Sequence, residues 1–230
     1  VLGFDPVVEL ALSVALIDAL LNQGIRGRLH AEMARSFHAA VQARWISRKR
    51  GEGAGEEIFI AALLGRVGEM AFWCFGGEQA HRLDRCLSET DVREEEAQQR
   101  VLGFPLRQLS YGLIKEWRLG ALAAAAMEMD PRGRGPGRSI LLAHRLARLA
   151  DGGWDSPGGR QCLHEVADYL DQPLTALRAE IIANAGEAAR VAREFGATEA
   201  AGLIPQVAPE PEETMIQGTV VPDMRLQMRV

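Results

Sequence analysis

Apolar residues recur at three- and four-residue steps along nearly the whole chain, the spacing of one face of an α-helix. Asp5-Pro6 predicts a helix start, with Val7, Leu10, Val14, Ile17 and Leu21 on one face and Gly24 as its stop. Met33, Phe37, Ala40, Val41 and Trp45 form a second stripe, ending in the turn-like GEGAG at 51–55. From Ile58 to Phe75 the residues are apolar almost all round, the pattern of a helix at the centre of a bundle. Residues 78–100 are polar and charged and read as a solvated helix packed by one narrow face. Leu106, Leu109, Leu113 and Trp117 resume the stripe, with Trp117 expected as a core anchor, and an alanine-rich run at 121–127 closes the segment.

PRGRGPG at 131–137 is a breaker-rich loop, after which Ser139 is expected to cap a helix facing inward through Leu142, Leu146 and Leu149. Gly152-Gly153 ends it. Residues 160–170 make a short amphipathic helix. Asp171 and Pro173 announce a longer one bearing Leu174, Leu177, Ile181, Ala185, Ala188, Ala192 and Phe195, with Gly196 as its stop. The composition after Pro205 is that of a linker or tail, with a β-like run from Thr214 to Val221. The expected class is all-α: a helical domain over 1–154, a helical extension over 155–204 and a tail over 205–230.

Composition narrows the function classes. At 230 residues, 47% hydrophobic and with a net charge of −5, the chain has the composition of a globular protein, and its mild acidity argues against general nucleic-acid binding. Basic residues gather at Arg44, Arg48, Lys49 and Arg50, and at Arg132, Arg134 and Arg138, read as solvated positions rather than a phosphate track. Cys74, Cys86 and Cys162 are too few and too irregularly spaced for a disulfide framework, which suits a reducing, cytoplasmic setting. The stretch from Val7 to Leu21 contains Glu9 and Asp18 and is too short and polar to span a bilayer, so no membrane is expected. The chain begins without Met at a helix-entry signal, which suggests a piece of something longer.

Taken in order, the pieces resemble the HDOD domain, a branch of the HD superfamily found in bacterial signalling proteins. LGFDPVVELALSVAL at 2–16, RSFHAAVQARWIS at 35–47, AALLGRVGEM at 61–70, LGFPLRQLSYGLIKEWRLG at 102–120 and ILLAHRLARLA at 140–150 carry the resemblance. It implies an HD-like helical bundle, with the superfamily's former metal positions at His38, Gly65, Arg66, Leu106, Asp130 and His144. Gly65 and Arg66 stand where the family's metal-binding His-Asp pair would be. Glycine has no side chain and arginine no free lone pair, so neither can ligate a divalent ion. The resemblance therefore implies no metal, no cofactor and no catalytic residues: a regulatory module acting on a protein partner or an attached signalling domain, with homo-oligomerisation left open. The alternative is a residual phosphohydrolase or nucleotide-binding domain with a rearranged site. Arg66, a cation inside an apolar stretch, needs an acid. Asp130 is the first candidate, and Glu69 at i+3 is a local fallback making only a modest surface pair.

Overall fold

The computed structural model describes residues 25–206, apart from 54, 90–91 and 129–132. The expected helix over 5–24, Asp130, the linker residues from 207 and the Thr214–Val221 run lie outside these residues. The described elements are helices: α1 (Arg26–Arg50), α2 (Gly55–Leu64), α3 (Val67–Phe75), α4 (Gly77–Leu87), α5 (Glu94–Leu102), α6 (Leu106–Glu116), α7 (Ala121–Glu128), α8 (Pro136–Ala150), α9 (Pro157–Leu170), α10 (Leu174–Glu194) and α11 (Thr198–Leu203). The fold is all-α, as the periodicity predicts.

Helix α1 is the axis of the bundle. Leu29, Met33, Phe37, Ala40 and Ile46 are all buried along it, and α2, α3, α8, α10 and α11 pack around it. Its last turn carries Arg48, Lys49 and Arg50, which suit the negative end of the helix dipole. Gly51 then stops it in the left-handed conformation, at φ 68°. The basic cluster here is largely compensated by neighbours. Arg44 lies over the Phe59 ring at 4.9 Å and Lys49 Nζ donates to Glu180 at 2.8 Å.

Four expectations need correction. The apolar stretch from Ile58 to Phe75 is two helices, because Gly65 and Arg66 form a turn and Arg66 leaves helical geometry at φ −117°, ψ 21°. By length and composition 55–75 could cross a membrane, but 72% of its apolar 18-residue window is buried inside the protein. Phe75, at its end, is exposed. The polar region is likewise two helices, α4 and α5. The Ser88 hydroxyl donates to the Asp84 carbonyl at 2.8 Å where α4 ends. Ser139 is no cap: α8 begins at Pro136, whose fixed φ favours the first helical position. The Ser139 hydroxyl instead donates to Glu52 Oε2 at 2.7 Å.

Trp117 is half-exposed, at 50%, so it is not a core anchor. It occupies the C-terminal cap of α6, where the chain turns through a left-handed Arg118 (φ 52°) and buries Leu119 instead.

The extension packs on α1. Ser156 caps α9 by accepting from the Gly159 amide at 3.0 Å, with Pro157 at the first turn. Phe195 meets Phe37 with ring centroids 5.7 Å apart. The fully buried Gln42 donates to the Ile181 carbonyl at 2.7 Å and accepts from Asn184 at 3.0 Å. Without residues 155–230, the Phe37–Gln42 face of α1 would open to water, exposing apolar surface that the extension buries. The shortened protein is expected to bind a hydrophobic dye and to lose its cooperative melt. A sharp transition at the full-length Tm would contradict this.

Candidate functional site

Arg66 sits at the α2–α3 turn with its side chain 13% exposed. Its Nε donates to Glu32 Oε2 on α1, and its Nη2 lies 3.7 Å from Glu69 and 4.0 Å from Glu94. Burial works against the charge, but Glu32 and Glu69 outweigh it and raise the pKa, so the guanidinium stays protonated. Arg35, one turn after Glu32, extends the network. It donates to Glu32 at 2.9 Å and to Asp151 at 2.7 Å, and lies 3.9 Å from Glu94. Glu69 is buried, and burial pushes its carboxyl above the usual range while Arg66 and the Ser110 hydroxyl pull it back. Ser110 donates to Glu69 and accepts from the Gly68 amide at 2.8 Å.

Behind the turn lies His144. Its ring lies beside the Ala62 carbonyl, and Nε2 is buried with no hydrogen-bond partner. A Cβ on Gly65 would sit 2.4 Å from that Nε2, so the imidazole occupies the space that any other residue at 65 would need. Burial, with the nearby Arg66 and Arg107 charges, holds His144 near pKa 3. These groups border a cleft of about 850 Å³, with α5, α6, α7 and α8 around it. Ala61, Ala123, Ala126 and Ile140 supply apolar surface, while Gln98, Gln108 and Tyr111 supply polar groups.

The structure thus brings Gly65, Arg66 and His144 together. It does not bring His38 or Leu106 to the cleft. His38 is six residues past Glu32, about 240° around α1. Its Nε2 accepts from Gln42 at 3.1 Å, and its ring meets Trp154 edge-on at 5.7 Å. Leu106 is buried and its amide donates to Gln98 Oε1 at 2.8 Å. Pro105 and Arg107 on either side of it do line the cleft. Asp130 lies outside the described residues, and among the described residues the carboxylate that meets Arg66 most closely is Glu32. Glu69 also meets it, inside the protein rather than on the surface. Sequence patterns do not single out Glu32, Arg35, Glu94 or Ser110. Glu32 left one legible trace: it stands on the buried stripe with Leu29, Met33 and Ser36, where an acid requires a partner.

The model of the HDOD domain family matches residues 1–130. The chain belongs to the HDOD domain family. Two solved structures share the HDOD fold with it. One is an HDOD domain protein of unknown function from Geobacter sulfurreducens, 19% identical, with a TM-score of 0.61 over 84% of this chain and 72% of that one. The other, described as a candidate phosphohydrolase from Shewanella amazonensis SB2B, is 13% identical, with a TM-score of 0.58 over 88% and 74%. No curated protein matches the chain.

His38, which is buried, and His144, whose Nε2 is buried, are expected to make this HDOD domain acid-sensitive. His38 is held near pKa 4 by burial and His144 near 3 by burial and adjacent arginines. The unfolded chain takes up their protons near pH 6.5 whereas the native state does not, so stability is full above about 6.5 and falls below it by about 1.4 kcal/mol per pH unit for each histidine. Glu69, with its folded value raised by burial, opposes this slope. Urea midpoints are expected to drop from pH 7 to pH 5, less steeply in His38→Gln. A flat profile would refute the assignment.

Proposed function

We propose that this HDOD domain is a non-catalytic regulatory module of bacterial signal transduction, acting through contact with a protein partner or an attached domain. The observation that supports it best is Arg66. A permanent cation with its guanidinium between Glu32 and Glu69 holds the position from which a metal would draw its charge compensation. Its neighbours would serve a divalent ion poorly: the carboxylates already face a guanidinium, and His144 offers a single nitrogen, wedged against Gly65. Among the described residues, no three His, Cys, Asp or Glu side chains form a group able to hold a metal ion. The described lining of the cleft holds no Ser, Thr or Cys, so a covalent hydrolytic route has no aliphatic hydroxyl or thiol to begin from.

Two measurements on the same preparation test the proposal. Metal content after chelator-free purification is expected to be well below one ion per chain. Hydrolysis of a generic phosphomonoester and phosphodiester is expected to stay at background with added Mn²⁺ or Mg²⁺. Stoichiometric metal together with metal-dependent turnover would replace this reading with the phosphohydrolase alternative, which draws its support from the size of the cleft.

A further inference from the structure

The cleft has one wall that is attached differently from the others. Helix α8 packs on α1, α7 and α9, and α6 packs on α3 and α7, whereas the helix that α5 packs on closely is α4. Ala97 is buried and Val101 and Leu102 are half-buried against the core, while the remaining contacts holding α5 to the body are made by side chains at its polar face. Glu94 lies 3.9 Å from Arg35 and 4.0 Å from Arg66, Glu95 lies 3.8 Å from Arg148 on α8, and Gln98 accepts from the Leu106 amide at 2.8 Å. The first three are ion pairs at the long end of the range. The Glu95–Arg148 pair is also substantially exposed, so salt screens it strongly. Both Glu94 and Glu95 line the cleft, as do Arg66 and Arg148 opposite.

We propose that α5 is a gate over the cleft, latched shut by Glu94 and Glu95 to Arg35, Arg66 and Arg148, with the α4–α5 pair as the moving body. Opening it breaks these ion pairs and the Gln98 hydrogen bond and disturbs the Arg28–Asp84 pair at 2.8 Å and the packing of Leu83, Val101 and Leu102, while the α1–α8 contact stays intact. The latch lies over the Arg66 network, so release of Glu94 exposes the Arg66 guanidinium to whatever enters the cleft. This follows from the attachment of α5 alone and stands whether or not the domain is a regulatory module.

Paired nitroxide labels at Glu96→Cys on α5 and Gly112→Cys on α6 would read the gate. Both positions are exposed, Gly112 has no heavy atom within 4 Å of an added Cβ, and the native cysteines are buried. At low salt the distance distribution is expected to be single and narrow. Either 1 M NaCl or the pair Glu94→Gln and Glu95→Gln is expected to add a longer-distance population, with helicity by circular dichroism unchanged. Arg148→Gln, an exposed change that spares the buried network, is expected to give a smaller shift in the same direction. An unchanged narrow distribution in all three would overturn the gate, as would a shift that appears only with loss of helicity.

Discussion

Replacing Arg66 with methionine is expected to destabilise the protein by about 3–5 kcal/mol, the range for leaving a buried ionic partner uncompensated. Glu32 and Glu69 are both about 5% exposed, and neither can reach water without disturbing α1 or α3. Arg35 still bonds Glu32 at 2.9 Å, which places the effect toward the lower end. The companion variant Glu32→Gln alone leaves Arg66 with Glu69 and the more distant Glu94, and should also lose stability. Together the two changes should cost less than their sum, because the second removes the charge that the first strands. Urea denaturation of the four proteins measures the coupling. Strict additivity would mean that Arg66 and Glu32 do not interact in solution.

Gly68→Ala is expected to cost about 3 kcal/mol or more, at the upper end for overpacking, and to unfold the protein if α3 and α6 cannot part. A Cβ at 68 would lie 2.1 Å from the Ser110 amide nitrogen, 2.6 Å from the Leu109 carbonyl carbon and 2.7 Å from the Ser110 Cα. All three are backbone atoms, so no side-chain rotation relieves the overlap. Moving the helices apart would also break the Gly68–Ser110 hydrogen bond and with it the donor that satisfies Glu69. Gly112→Ala is the control. It meets nothing within 4 Å and should gain up to about 1 kcal/mol from helix propensity. Equal melting temperatures for the two alanine variants would contradict the close α3–α6 crossing.

By itself the sequence determined the helical class, most of the stops at Gly51, Gly153 and Gly196, and the family order of motifs. These follow from local rules: side-chain periodicity, the φ values open to glycine and proline, and the cost of a lone charge among apolar residues. That last rule was enough to say that Arg66 needs an acid. Which acid answers it was decided by the tertiary structure. Glu32 is 34 residues away, and its selection depends on the rotation of α1 against the α2–α3 turn. The same rotation sends His38 toward Gln42 and Trp154, although the sequence places it inside a family-like motif. Trp117 reads as core by its type and spacing, yet the end of α6 leaves it half in water. Gly65 and Gly68 look alike in GRVG, but one clears an imidazole from α8 and the other clears the backbone of α6. Local sequence limits what each helix can bury, whereas crossing distance and rotation decide what meets across the gap. Those two quantities come from the packing of all the helices at once.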